Sequence, residues 1–325
     1  MVIRILKRVL VSIWEYFAKI NLKKKFIMYG PYKKMYRWSR YNLMNQHIKL
    51  FNILNYKINT EWYKFFTLIR QKENPLYLPE DIWHLRIEPV LNNKAYNKAF
   101  NDKNLYDFKN YGVLFPKTYI HIIEGICYSP NYNFITDSEA NNLLNRCNQF
   151  VAKKAIDSGG GKGVSFYDNK DQSIDVDKLK LNHGDNVIVQ KIVKQHAWFE
   201  QFNKESINTI RVVTYRSVKD EKLHVLQMLL RMGKPGSKVD NQSSGGIAVG
   251  ISSEGYLNSW GFDKLSNKYI ELNGITFSKL DKVPNFEELK NTCIDIARTR
   301  LYERILILIH GKILWEILDS WKLII

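Results

Sequence analysis

Residues 150–164 read FVAKKAIDSGGGKGV, an apolar stretch that closes on two lysines and runs into glycines at 159, 160, 161 and 163. Gly159, Gly160, Gly161 and Gly163 let backbone N–H groups turn toward an anion with no Cβ in the way. Lys153 and Lys162 would add ammonium charge. The string is not GxxxxGK[ST], because Gly163 follows Lys162 and no hydroxyl stands there to hold Mg²⁺. Nor is it the GxGxxG of a dinucleotide turn, since counting from Gly159 and Gly161 puts Val164 where the third glycine belongs. Two readings stay open on these residues, a phosphate cradle of a less common type and a glycine-rich hairpin turn.

Other residues with chemistry lie on either side. Lys103 sits in NDK upstream, and Gln190, Lys191 and Ile192 end the strand-like VIVQKI. Arg211 is a lone cation in TIRVVTY, where alternation places it with Val213 and opposite Ile210 and Val212. A buried guanidinium is costly unless paired, so Arg211 points into a charged cleft; the other reading is an edge-strand arginine in solvent. Asp240 and Asn241 precede a Gly-Gly strand and either bind substrate or metal or simply form a turn. His196 and Glu200 are weaker candidates beside the same strand end.

The chain around these residues has 325 residues, 45% hydrophobic and 13% aromatic, with a net charge of +17. It can bury a sizeable core and is not a disordered tail. Eleven basic residues stand against Glu15 alone within residues 1–40. Ile3, Leu6, Leu10, Ile13, Trp14 and Phe17 recur there at helical spacing, which predicts a basic amphipathic helix. Such a helix either docks on the protein or lies on an anionic membrane surface. The uncharged run Val9–Trp14 is too short for a signal core or a span. Three cysteines without paired spacing suggest neither disulfides nor zinc, and a reducing, cytoplasmic compartment fits. No nucleic-acid motif is present, so no nucleic-acid partner is expected.

The predicted elements are helices up to about residue 75, including Glu61–Lys72 with Trp62, Phe65, Phe66 and Ile69 on one face. A helix over 94–112, a Pro-led strand after it, and a helix over 136–147 opened by a Thr136–Glu139 capping box follow. Strands are predicted before the glycine loop and at 186–193, 209–218, 222–232 and 245–252, and a helix at 285–301. Hairpin-length connections among the strands make the fold α+β rather than a βαβ repeat.

In that order, NDK, FVAKK with its glycine loop, VIVQKIVKQH, INTIRVVTYR and LLRMGKPGSKVDNQSSGGIAVGI resemble the ATP-grasp fold, in which two α+β lobes clasp ATP. More closely, they resemble the sugar-transfer-associated ATP-grasp family over roughly residues 75–300. The resemblance implies ATP-binding lysines at Lys103 and Lys153 and a lid at Gly159–Gly163. It implies a hinge at Gln190, Lys191 and Ile192 whose backbone meets adenine, and Arg211 facing the phosphates or a reacting acyl group. It divides the chain into a basic helical region (1–75), a pre-ATP-grasp segment (76–147), the ATP-grasp core (148–304) and a divergent or truncated tail (305–325).

The resemblance further implies Mg²⁺ held by an Asp on one late strand and a Glu-x-Asn on the next. Neither follows Arg304, and Glu316 and Asp319 are the only carboxylates left. The metal ligands are therefore unidentified, and the tail reads as a replaced or truncated strand pair. The expected activity is an ATP-dependent carboxylate–amine (or related) ligase acting on a sugar- or glycan-linked substrate in cell-surface polysaccharide synthesis, at or near the inner membrane face. The alternative is a nucleotide-binding scaffold without turnover.

Overall fold

The computed structural model describes Ile20 and residues 41–54, 58–70, 72–93, 102–107, 115–156, 158, 163–170, 174–311 and 322–323. The predicted basic helix of residues 1–40, Gly159, Gly160, Gly161 and Lys162 of the loop, and Glu316 and Asp319 lie outside the described residues. Two compact units are distinguished, one of residues 1–93 with 262–268, the other of 94–261 with 269–325.

The first unit is helical. Met44–Asn52 (α1) has no side-chain cap of its own; the Glu73 carboxylate accepts the N–H groups of Asn42 and Leu43 at 3.0 and 2.9 Å instead. A carboxylate there satisfies orphan donors and meets the positive end of the helix dipole. The predicted helix at 61–72 is Thr60–Arg70 (α2), with Trp62 and Phe65 buried as the periodicity requires. Its Tyr63 hydroxyl donates to the same Glu73 at 2.7 Å.

The second unit holds two extended antiparallel sheets besides a two-stranded hairpin at residues 271–276. The smaller is built from Thr118–Ile123 (β1), Ile126–Tyr128 (β2), Gln149–Lys154 (β3), Val164–Asp168 (β4) and Val187–Gln190 (β5), in the order β2-β1-β5-β3-β4. Helices Asp137–Asn145 (α3) and Val176–His183 (α4) cover it over a core that includes Ile120, Ile122, Leu144, Phe150, Leu179 and Val189. The Thr136–Glu139 capping box opens α3 as the residues predict. β3 and β4 flank the glycine loop. Gly163 closes it at φ +70°, with its carbonyl accepting the Lys154 N–H at 2.8 Å. A Cβ at Gly163 would sit 3.0 Å from that of Lys154, so glycine suits both the angle and the space.

In the larger sheet Thr209–Arg216 (β6), Leu223–Met232 (β7), Ile247–Ile251 (β8), Leu257–Phe262 (β9) and Ile305–Gly311 (β10) stand in the order β9-β8-β7-β6-β10. Alternation decides the faces. Ile210, Val212, Met228, Leu230, Met232, Val249 and Leu308 pack with Leu289, Cys293 and Ile296 of Phe286–Thr299 (α5). Arg211 and Arg231 lie on the opposite face.

The predicted 94–112 helix is corrected, and two further positions are defined by the sheets. Within the predicted 94–112 helix, the described residues form a 3₁₀ turn, Lys103–Leu105. Asp102 caps it by accepting the Asn104 N–H at 2.9 Å, and the Lys103 N–H reaches out of the turn to the Ala155 carbonyl at 3.2 Å. The start of the tail is a strand, β10, paired along β6 from Ile305↔Tyr215 to His310↔Ile210. Finally, β6 is flanked by β7 and β10, so Arg211 is not on an edge. Among the described residues no helix is long and apolar enough to cross a membrane.

Leu230 has no exposed surface and sits between the central strands and α5. Leu230→Ala should cost about 2–5 kcal/mol in a urea titration, with the slope unchanged.

Candidate functional site

Two groups of cations stand out. The first joins β3 to the turn at Lys103. The Lys153 side chain leaves the end of β3 and donates from Nζ to Gln190 Oε1 at 3.1 Å. The Lys103 Nζ donates to Ser158 Oγ at 2.8 Å and to the Ala155 carbonyl at 3.4 Å. Every acceptor is neutral. Burial first and the nearby charge of Lys103 second push the Lys153 ammonium down to about 8. Lys103 is also shifted down by burial, partly offset by Asp102. Two half-buried ammonium groups, both made less basic by burial, form a site short of negative charge.

Local folding puts them there. β3 is central, held by β5 through Lys153↔Ile188 and by β4 through Lys153↔Val164. Lys103 is anchored to the residue just past β3 by its own N–H. Sequence reasoning places both lysines at a phosphate, and the structure brings them together. Ser158 and Gly163 border the loop beside them.

Gln190 ends β5 and is buried. Lys191 donates its N–H to the Lys117 carbonyl at 2.8 Å and turns its side chain to solvent, while Ile192 is half-buried in the irregular stretch that follows. His196 caps the short helix Ala197–Glu200 by accepting the Trp198 N–H at 3.1 Å, a structural task.

The second group lies on the free face of the larger sheet. Register pairs Thr209 with Arg231 and Arg211 with Leu229, so the two arginines are diagonal neighbours. Arg231, which sequence reasoning missed, is buried and donates to Asp240 Oδ1 at 2.8 Å and to Asn241 Oδ1 at 2.5 Å. The Thr209 hydroxyl donates to the other Asp240 oxygen. Asp240 and Asn241 thus face inward to Arg231. The loop after them is held close: a Cβ on Gly246 would meet the Asp240 carbonyl at 2.4 Å. Burial raises the Asp240 carboxyl above its usual range, against the pull of Arg231 and Thr209.

Arg211 receives less. Its Nε is buried and has no hydrogen-bond partner. Burial lowers its basicity first, the like charge of Arg231 second, and Asp240 offsets only part of this. Two guanidinium groups share one carboxylate, which leaves this face ready for an anion.

A magnesium ion would need carboxylates on this face. On β10, Ile307 pairs with Val213, beside Arg211 on its face, and is 52% exposed. Asp240 is committed to Arg231. Among the described residues no group of three or more His, Cys, Asp or Glu could hold a metal ion. The described residues do not fit such a site.

Comparison with known proteins adds the following. A family model, that of sugar-transfer associated ATP-grasp proteins, matches residues 84–306. No curated protein matches the chain. Among solved structures, it is similar to D-alanyl-alanine synthetase A from Vibrio cholerae (11% identity, TM-score 0.35, 68% of this chain and 51% of that one). It is also similar to the ATP-grasp ligase PsnB with its minimal precursor (10%, 0.39, 71% and 54%). A third is N5-carboxyaminoimidazole synthetase from Staphylococcus aureus with ADP (10%, 0.37, 66% and 42%). The chain spans about half the length of these solved proteins.

Two outcomes follow from the charges. Lys153→Met removes an ammonium that folding desolvates. It should raise stability at pH 7 by about 1–2 kcal/mol, less than the full shift implies because the group reaches solvent. The lysine's folded-state pKa lies below its unfolded one, so its cost is full below pH 8 and fades as pH rises toward 10.4. Melting curves should therefore converge above pH 10. Arg231→Met strands Asp240 and should cost about 3–5 kcal/mol in chemical denaturation.

Proposed function

Because the chain belongs to the sugar-transfer associated ATP-grasp family, matched over residues 84–306, we propose that it binds ATP and uses it as an ATP-dependent carboxylate–amine (or related) ligase. The observation that carries this reading is the Lys103–Lys153 pair: two ammonium groups held by neutral oxygens, with no carboxylate hydrogen-bonded to either among the described residues. Polyphosphate supplies the missing charge, and point cations on two separate segments can follow its chain. Gly159, Gly160, Gly161, Lys162 and Gly163 close over the phosphates. The backbone of Gln190, Lys191 and Ile192 receives the adenine edge.

In the ligase reading, a substrate carboxylate oxygen attacks the γ-phosphorus and ADP leaves with the bridging oxygen. The product is an acyl phosphate. An amine then attacks the acyl carbon, inorganic phosphate departs, and the amine loses a proton as the amide forms. Arg211 serves the first step by facing the developing negative charge, a role that its unmatched Nε and half-buried setting favour. The family's association with sugar transfer points to a glycan-linked substrate, and residues 1–40 suit an anionic inner membrane surface. Mg²⁺ belongs to the family expectation, and no step here is assigned to it.

A second reading is favoured by one observation. Ile307 stands on the face of Arg211 where a carboxylate would serve a metal, which suits a nucleotide-binding protein without turnover.

Thermal unfolding with ATP or a non-hydrolysable analogue, with and without Mg²⁺, tests both. A hundredfold excess of ligand over its Kd should add about 2.7 kcal/mol, and Lys153→Ala should lose most of it. Stabilisation that ignores Mg²⁺ selects the second reading. No shift under any condition eliminates the nucleotide.

A further inference from the structure

Gln190 does more than end a strand. Its Nε2 donates to the Pro116 carbonyl at 3.2 Å and to Thr118 Oγ1 at 3.3 Å. Thr118 has a single hydroxyl hydrogen, and it goes to the Asp107 carboxylate, so toward Gln190 the oxygen is an acceptor. The amide therefore has one orientation, with Oε1 turned to the Lys153 ammonium.

A second set of polar groups lies beside the other lysine. Asp107 Oδ2 lies 3.8 Å from His121 Nε2, a buried nitrogen with no hydrogen-bond partner. His121 Nδ1 is 3.1 Å from Asn104 Oδ1, and Asn104 Nδ2 donates to the Ile122 carbonyl at 2.9 Å. Asn104 Oδ1 is therefore the acceptor, and the ring proton sits on Nδ1. Asn104 adjoins Lys103. Hydrogen bonds thus run from Lys153 through Gln190 and Thr118 to Asp107, a carboxylate two residues away from the ammonium, and stop there short of His121.

The charged groups around Lys153 among the described residues are few. Lys103 faces it from the 3₁₀ turn, with Asp102 acting on Lys103; Asp107 reaches it only through Thr118 and Gln190; the partners on β4 and β5 are Val164 and Ile188. A glutamate in place of Gln190 would neutralise the ammonium before any ligand arrived. The amide holds it without doing so.

We propose that Gln190 is the positioning residue of the lysine pair: its neutral oxygen fixes Lys153 in place without neutralising it and leaves the pair to take its missing charge from the bound phosphate chain. This rests on the nucleotide reading above. The bound phosphates favour the ammonium, so a Lys153 that is partly neutral in the free protein is protonated in the complex, the proton coming from the buffer.

Calorimetric titration of the full chain with ATP, in two buffers of different ionisation heat, measures that proton. At pH 8 the uptake should be about half a proton per nucleotide, rising toward one at pH 9. Gln190→Glu pairs Lys153 beforehand and should bring uptake at pH 8 close to zero, with ATP held roughly tenfold more weakly because the site has lost net charge. Gln190→Met leaves the ammonium without its acceptor and should move uptake down to pH 7. A residue that merely supports the fold would not shift the coupling in opposite directions. ATP binding in the wild type without proton uptake between pH 7.5 and 9 overturns the inference alone, as does an uptake that neither variant moves. Should one variant fail to fold, an unmoved uptake in the other decides against it. No ATP binding in the wild type removes the nucleotide reading itself.

Discussion

Two lysines that, among the described residues, donate only to neutral oxygens set the terms for the smaller sheet. Like charges in a partly desolvated setting oppose folding, so they persist only where the surrounding backbone holds them. Lys153 is held because β3 is central and bound on both sides, and Lys103 because its own N–H is tied to Ala155. The cost appears as a Lys153 ammonium brought down to about 8. The same circumstance gives the pair its use, since a site that is stable without its ligand has less to gain from one.

The larger sheet solves the opposite problem. There a buried Arg231 is matched in full by Asp240 and Asn241, with Thr209 completing the carboxylate's contacts. Removing either partner would leave a buried charge exposed to a low-dielectric interior. That internal pair frees its diagonal neighbour, Arg211, to face outward with less opposite charge than it needs. Lys153, Arg211 and Arg231 thus rest on strands whose other faces are packed against helices, a rigid mounting that favours precise placement over adaptation.

Much of this could be read from residue order. Period-two alternation in TIRVVTYR separated Arg211 from the core, and the spacing of Thr136 and Glu139 announced a helix start that the structure has. Lys103 and Lys153 were found by resemblance, and among the described residues both donate only to neutral oxygens. The rest depended on register. Nothing in LLRMG says that Arg231 lies opposite Thr209, or that Asp240 will turn inward to it, until strand pairing is known. The role of the Gln190 side chain was invisible for the same reason, because Pro116 and Thr118 are more than seventy residues away along the chain. Sequence periodicity predicted a helix around Lys103 where the capping aspartate and the bond to Ala155 impose a 3₁₀ turn. It also passed over β10, whose uninterrupted apolar run carries no alternation to mark a strand.

The central claim is that Lys153 is kept charge-deficient for an anion. Following the Lys153 Nζ by NMR through a pH titration, with and without ATP, tests it most directly. The account predicts a midpoint near 8 in the free protein and a return toward the ordinary lysine range, about 10.4, once ATP is bound. An ordinary midpoint in the free protein, or a low one that ATP leaves unmoved, would contradict it.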